Sequence, residues 1–261
     1  MRITARATTV ALLPALLFAA VGCGSTDTPA TGKAPAPSGS AASGAPGTGT
    51  SAGTSAGTSA GAASGAPAAP KTGGTKLERA SLEQGDLPGY QISSQANPNA
   101  PHGQPQADKK ACQPLADAMG DKPDPAARES VNRGIGSQRQ LGLAVAATVS
   151  SYSESDAKRL VSRLRQAIAA CGGGFSATIE KQTGSYKDVK AASYKTGGDE
   201  SVSWTTTAVA GDASAQVHLV VVRQGGTVVR LTALNVAAAG QKAQVPQEVA
   251  DKQLEKVKRA G

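Results

Sequence analysis

The sequence predicts an α+β domain in which a twisted, largely antiparallel sheet is flanked by helices. A signal peptide and a disordered linker are predicted to precede it. Three observations support this organisation. Residues 1–22 combine a basic start with an apolar run, and residues 23–75 are almost entirely small or polar. Residues 76–261 contain helical periodicities followed by a series of short alternating strands separated by glycine-rich turns, a pattern typical of α+β folds.

The first 22 residues have the three parts of a secretory signal. Arg2 and Arg6 form a basic start, the stretch 10–20 is apolar, and small residues follow. The apolar run is roughly 11 residues long, whereas a membrane-spanning helix needs about 20. We therefore expect this segment to be cleaved rather than retained as an anchor.

The stretch Ala20-Val21-Gly22-Cys23 resembles a bacterial lipoprotein signal, with Ala20 where leucine is usual. The resemblance implies that Cys23 is diacylated, carries diacylglyceryl and palmitate-type acyl chains, and becomes the new N-terminus. Two chains give stable anchoring where one is marginal. The expected location is the outer face of the cell membrane. The alternative is an ordinary secretion signal with a chance cysteine.

The linker over residues 23–75 has a composition that cannot form a core. It consists mainly of Gly, Ala, Ser, Thr and Pro, and Thr-Ser-Ala-Gly occurs three times over 50–61. Such a segment buries too little apolar surface to offset its ordering entropy. We predict a disordered spacer with a reach of about 40 Å between the membrane and the domain.

Composition limits the partners. The net charge is +8, and aromatic residues make up only 3% of the chain. Few aromatic side chains are available to stack on bases, and the protein is predicted to be exported, so no nucleic acid is expected. Anionic envelope polymers or lipid headgroups are more natural partners for a basic surface.

Two cysteines remain beside Cys23. Cys112 and Cys171 form an even pair in a chain predicted to be extracytoplasmic, which favours a disulfide. The alternative is a free or metal-binding thiol pair, although two cysteines without a nearby histidine make a poor zinc site. We expect no metal and no cofactor.

The domain divides into elements by periodicity. Ala157, Leu160, Val161 and Leu164 recur at helical spacing after Ser153, which is a candidate N-cap. The predicted order is an opening segment Leu77–Tyr90, a loop over 91–105, a helix Asp108–Met119, a strand Gln140–Tyr152, a helix Glu154–Cys171, strands Phe175–Gln182, Val189–Lys195, Ser201–Val209, Ala215–Arg223 and Thr227–Asn235, and a helix after Pro246.

Strand 140–152 places Leu141, Leu143 and Val145 on one face and small residues such as Ala144 and Ala146 on the other. We expect the small face to allow close packing by a helix.

Several dispersed features occur together: Leu-Pro-Gly-Tyr at 87–90, the pair Cys112 and Cys171, the strand end and helix from Tyr152 to Cys171, the turn at 198–200 and the hairpin over 220–229. Together they resemble the PknH-like extracellular sensor domains of actinobacterial lipoproteins and receptor kinases. The resemblance covers roughly residues 77–260. It implies a twisted antiparallel sheet flanked by helices, with a cleft proposed to bind an unknown ligand. Kinase-linked members have two disulfides, whereas this chain can form one in the domain.

The catalytic motifs in the sequence do not form a convincing set of active-site residues. Three G-x-S-x-G matches lie in the linker, without the strand and helix that a nucleophile elbow needs. Ser155 and Lys158 match S-x-x-K, but Ser155 lies in the first turn of an ordinary amphipathic helix. Asp199 and Glu200 are adjacent, and neighbours in a strand point to opposite faces. His102 and His218 are single histidines for which a structural or solvated role is expected.

We therefore expect a non-enzymatic cell-surface lipoprotein with a ligand-binding or sensor domain for a small-molecule, lipid or envelope ligand. The alternative is a structural or partner-binding envelope lipoprotein whose basic helices contact an anionic polymer or a membrane protein. The basic side chains concerned lie at 158–165 and 252–259. The sequence does not specify the ligand-binding residues.

Overall fold

The computed structural model describes residues 74–94, 103–235 and 242–261. The signal peptide, Cys23 and the linker up to residue 73 lie outside the described residues, as does His102. Within the described ranges one sheet of nine strands forms the centre of the domain, in the order β1-β3-β4-β9-β8-β7-β6-β5-β2. Every neighbouring pair is antiparallel. The predicted α+β class is confirmed.

Four helices accompany the sheet in the described ranges, and a short 3₁₀ turn precedes the second of them. No helix in these ranges is long and apolar enough to cross a membrane. The elements are α1 (Lys76–Ala80), β1 (Tyr90–Ser93), β2 (Gln106–Ala107), the 3₁₀ turn Lys110–Cys112, α2 (Gln113–Asp117), β3 (Glu129–Ser137), β4 (Leu143–Ser151), α3 (Glu154–Ala170), β5 (Phe175–Ile179), β6 (Gln182–Ala191), β7 (Glu200–Ala210), β8 (Ala213–Gln224), β9 (Thr227–Asn235) and α4 (Gln247–Ala260).

One face of the sheet packs against α1 and α4. Alternation along β4, β8 and β9 directs one set of aliphatic side chains to this face, where they form a continuous buried cluster with the helices. The cluster includes Leu82, Leu143, Val145, Val149, Val220, Val222, Val229, Leu231, Val249 and Leu254.

Gln253 of α4 connects this helix to the end of α1. It is fully buried, and its side-chain oxygen accepts the Leu82 N–H at 3.2 Å while its Nε2 donates to the Ala80 carbonyl at 2.6 Å. The amide thereby satisfies two backbone groups where the chain leaves α1. A buried polar group is stable only when it is hydrogen-bonded in this way.

The opposite face carries a second buried cluster, formed with α2 and α3. Helix α3 begins at the predicted cap, because the Ser153 hydroxyl accepts the Asp156 N–H at 3.1 Å. Its apolar stripe of Ala157, Val161 and Leu164 is buried against the strands. Helix α3 contacts β6, β7, β8 and β9.

Four strands differ from the prediction. Strand β6 covers Gln182–Ala191 where Val189–Lys195 was predicted, because it pairs with both β5 and β7, and the two-residue strand β2 was not predicted. The other two are β3 and β1. Strand β3 was not predicted, because Glu129–Ser137 is rich in polar residues and contains two glycines, which have low strand propensity. Its pairing with β4 and β1 places it in the sheet nonetheless. Strand β1 forms at the start of the segment predicted as a loop. In both cases tertiary pairing outweighs local propensity.

The start of β4 also differs. Leu141 is 81% exposed rather than buried, because it lies in the turn that precedes the strand. Gly142 follows it with a positive φ of 86°, so the alternating strand pattern begins only after this residue. Every second residue from Leu143 through Val149 is buried, as predicted.

We predict that Gln253→Leu lowers the free energy of unfolding by about 2–4 kcal/mol, because it leaves the Leu82 N–H and the Ala80 carbonyl buried without a partner. Chemical denaturation followed by circular dichroism measures this change. The matched control is Gln166→Leu on the exposed side of α3, for which we expect a change within about 0.5 kcal/mol. Equal effects for the two variants would contradict the role assigned to Gln253.

Candidate functional site

A cleft of about 480 Å³ lies on the sheet face that carries α2 and α3. Its volume falls within the range of small-molecule sites, roughly 300–1,000 Å³. Helix α3 covers only part of this sheet face. The remainder of the face is the floor of the cleft.

The floor consists of small side chains on five strands. Because side chains alternate along a strand, each strand presents every second residue to the cleft. The small residues are Gly134 of β3, Ala146 of β4, Ala177 of β5, Gly184 of β6, and Ala208 and Ala210 of β7. We expected a helix to pack on Ala146, but the structure places this residue on the floor of the cleft.

The walls come from the segment after α2 and from α3. Asp117–Asp121 and Pro123–Asp124 line the cleft together with Leu160, Arg163 and Leu164 of α3. Arg163 pairs with Asp124 at 2.7 Å, so the two segments meet there. The predicted disulfide between Cys112 and Cys171 is present and joins the start of α2 to the end of α3. This crosslink fixes the two helices that carry the walls.

Arg230 lies in the middle of β9 and lines the cleft. It is opposite Thr148 of β4 and Val221 of β8. Its Nη1 donates to the Gly120 carbonyl at 3.1 Å, with a longer contact of 3.5 Å to the Asp117 carbonyl. Its Nη2 donates to the Thr148 hydroxyl at 3.3 Å. Arg230 therefore connects the floor to the end of α2.

A row of polar side chains continues from Arg230 across β4 and β3. The Thr148 hydroxyl donates to Asn132 Oδ1 at 2.8 Å, and the Ser130 and Ser150 hydroxyls lie 2.7 Å apart. All four residues line the cleft. The part of the floor formed by β3 and β4 is thus able to hydrogen-bond a ligand.

The cleft also borders a buried carboxylate. Asp117 is 2% exposed, and its Oδ1 accepts hydrogen bonds from the side-chain amides of Gln104 and Gln113, both at 2.7 Å. Among the described residues no group donates to its Oδ2. A buried acceptor without a donor is unfavourable.

Two tyrosines, Tyr152 and Tyr186, line the cleft. Phe175 and Tyr186 stack with ring centroids 5.0 Å apart. Burial raises the pKa of Tyr186 and of Tyr152, and the nearby Arg230 charge lowers the pKa of Tyr152 in part. Both phenols therefore stay neutral at physiological pH.

His218 forms a buried pair with a serine on the opposite face of the sheet. The Ser203 hydroxyl lies 2.8 Å from Nε2, and Nδ1 accepts the Val245 N–H at 3.0 Å. Because Nδ1 is an acceptor, the neutral ring carries its proton on Nε2 and donates it to the serine. A general base would have to accept the serine proton instead. The predicted structural role of His218 fits this arrangement.

Asp199 and Glu200 both contact Arg223, although they are neighbours in sequence. The guanidinium lies 3.1 Å from Asp199 Oδ2 and 3.1 Å from Glu200 Oε1. Asp199 also accepts the Gly225 N–H at 2.8 Å. The two carboxylates therefore stabilise the turn between β8 and β9. Ser155 lies in the first turn of α3 beside Ser153, and Lys158 pairs with Glu154.

The basic side chains of α3 and α4 have partners in the fold. This pairing reduces the free positive charge that an anionic polymer would contact. The pairs are Lys158 with Glu154, Arg159 with Asp156, Arg163 with Asp124, Arg165 with Glu200, Lys252 and Arg259 with Glu255, Lys256 with Asp86, and Lys258 with the Gly197 carbonyl.

Sequence reasoning did not identify Arg230 or Asp117. A signal for Arg230 was present, because it is the single charge in a strand of otherwise apolar or uncharged residues over 227–235. In a central strand of a sheet covered on both faces, such a charge has to reach solvent or a site. Asp117 had no comparable signal, since it lies in a short helix beside prolines and a second acidic residue at 121.

The chain matches no family model, and no curated protein matches it. Its structure is similar to the extracellular domain of PknH from Mycobacterium tuberculosis, with a TM-score of 0.45 and 12% identity over 70% of this chain and 93% of that one. It is also similar to a putative uncharacterized protein (Rv0999 ortholog) from Mycobacterium smegmatis, with a TM-score of 0.37 and 12% identity over 67% of this chain and 90% of that one.

We predict that His218 makes stability depend on pH. Burial lowers its pKa from 6.5 to about 4, so the unfolded chain binds a proton more readily between these values. Above about pH 7 the neutral His218 leaves the free energy of unfolding at its full value. As the pH decreases toward 4, the free energy of unfolding falls by about 3 kcal/mol in total. Denaturant unfolding at a series of pH values measures this slope.

His218→Gln retains a donor and an acceptor but does not titrate, so the slope between pH 4 and 7 should be reduced by this amount. The matched control is His102→Gln, which changes the second of the two histidines in the chain. We expect the control to keep the slope of the unmodified protein. A His218→Gln variant that keeps it as well would show that another group is responsible.

Proposed function

We propose that the protein is a non-catalytic, membrane-anchored ligand-binding or sensor module on the outer face of the cell membrane. The observation that carries this proposal is the cleft of about 480 Å³, with small residues on its floor and Arg230 at its centre. Concave sites with mainly apolar linings and a few convergent polar groups are typical of small-molecule binding.

The architecture supports a binding role for the cleft. The face of the sheet that packs on α1 and α4 is filled by aliphatic side chains, whereas the cleft face leaves part of its strands uncovered by α3. The Cys112–Cys171 disulfide holds both walls. A preformed site of this kind reduces the entropy that is lost on binding.

The proposed anchor is Cys23, and the linker would separate the domain from the lipid surface. In this arrangement the cleft would sample molecules outside the membrane. The alternative function, contact with an anionic polymer through the basic helices, is less well supported because seven of those eight cations are paired with carboxylates of the fold.

Native mass spectrometry of the full chain, purified from the membranes of the producing organism, tests the proposal. We expect a stoichiometric small molecule that dissociates on denaturation. In Ala146→Leu, expressed in the same way, the larger side chain would occupy the floor of the cleft, and we expect the molecule to be lost without loss of the fold.

The matched control is Ala169→Leu, which makes the same change at an exposed position of α3 outside the cleft. This variant should retain the molecule. Equal retention by both variants would show that the molecule binds elsewhere, and a clean apo mass for the unmodified protein would contradict a tightly held ligand.

A further inference from the structure

Arg230 differs from Arg223, the buried arginine of the neighbouring strand β8, in how its charge is balanced. Arg223 lies within 3.1 Å of two carboxylates, those of Asp199 and Glu200. Arg230 donates only to uncharged oxygens, and no carboxylate of the described residues lies within 4.0 Å of it. The carbonyl of Gly120 and the hydroxyl of Thr148 hold the guanidinium in position without neutralising it.

The surroundings of Arg230 make an unbalanced charge unfavourable. The residue is half-buried, and burial lowers the pKa of its guanidinium; the more distant Tyr152 and Asp121 raise it in part. Arginine remains charged in proteins under all ordinary conditions. A charge removed from water is stable only when it is paired or hydrogen-bonded. An anionic group within the cleft would supply the missing counter-charge.

The two halves of the floor differ in polarity on either side of Arg230. Toward β3 and β4 lie Asn132, Thr148 and Ser150, which offer hydrogen bonds. Toward β5 to β8 the lining is mainly apolar and includes Ala177, Ile179, Ala208 and Val217, and its polar members are Gln182 and Thr183 of β6. Since Arg230 lies at the boundary of these two regions, a ligand that contacts both must itself be amphipathic.

The Asp117 carboxylate does not supply this counter-charge. Its backbone carbonyl contacts Arg230 at 3.5 Å, and its buried Oδ2 has no donor among the described residues. Arg230 contacts the backbone carbonyl of Asp117 and makes no hydrogen bond to its carboxylate. The two side chains thus border one cleft without pairing with each other.

We infer that the cleft binds an amphipathic anion, whose carboxylate or phosphate contacts Arg230 and whose apolar chain lies on the β5–β8 half of the floor. This inference rests on the cleft being the ligand site proposed above. Carboxylate and phosphate share the chemistry that arginine recognises, which is a pair of acceptor oxygens matched to its two N–H donors. The apolar chain gains the free energy of transfer from water onto the alanine and valine surface.

Isothermal titration calorimetry with four probes tests the inference, each kept below its micelle concentration: dodecanoate, dodecyl phosphate, dodecanol and inorganic phosphate. The two amphipathic anions should bind about ten- to a hundredfold more tightly than dodecanol, because a charge-assisted hydrogen bond contributes a difference of this size. Inorganic phosphate alone should bind weakly, because it lacks the apolar chain.

Variants of Arg230 assign the effect to this residue. In Arg230→Gln the preference for anions over dodecanol should disappear, whereas Arg230→Lys retains the charge and should retain most of the preference. The matched control is Arg128→Gln, which removes the same charge from an exposed side chain outside the cleft. Circular dichroism establishes that each variant is folded. If Arg230→Gln fails to fold, the comparison of probes on the unmodified protein still decides the question.

Three outcomes would overturn the inference. Equal binding of dodecanol and dodecanoate would show that the cleft takes apolar chains without regard to charge, which leaves the proposed binding function intact. Equal binding of inorganic phosphate and dodecyl phosphate would show a site for a free anion rather than a lipid-like molecule. Binding of none of the four probes would reject the amphipathic anion, and the mass of the copurified molecule would then decide the proposed function independently.

Discussion

The central sheet is covered by helices on both faces, and the amount of helix on each face differs. On one face α1 and α4 pack on the sheet and form a continuous aliphatic cluster with it. Gln253 joins the two helices by hydrogen-bonding the backbone at the end of α1. On the other face α3 packs on β6 to β9 and leaves part of the sheet uncovered. The cleft is a direct result of this unequal coverage, and its walls depend on the disulfide between α2 and α3.

The elements with strong local signals could be predicted from the sequence. Helix α3 has a cap at Ser153 and a regular apolar stripe, and β9 was predicted at its observed bounds. Strand β3 could not be predicted, because its polar and glycine residues acquire their conformation from pairing with β4. Its Asn132 and Gly134 line the cleft, so the missed strand is also part of the candidate site.

The residues of the candidate site were harder to predict than the fold because their significance depends on the partners that surround them. Arg223 and Arg230 have similar sequence contexts, since each is the single arginine of a strand that contains several β-branched residues. In the structure Arg223 contacts two carboxylates, whereas Arg230 contacts only uncharged oxygens. His218 and Ser203 are in contact, as a catalytic pair would be. However, Nδ1 accepts the Val245 N–H, so the ring proton is on Nε2 and the ring cannot accept the serine proton there. In both cases hydrogen-bond direction and charge balance decide the role.

The division of the sheet into two faces has a consequence for how this domain can diverge. Ala146, Ala208 and Ala210 line the cleft, whereas Val145, the residue before Ala146, belongs to the buried cluster on the opposite face. Enlarging a floor residue changes the shape of the cleft and removes no contact from the α1–α4 side. Under the proposed function, single substitutions on the floor would change the ligand preference, while the other face would continue to provide the stability that those changes require.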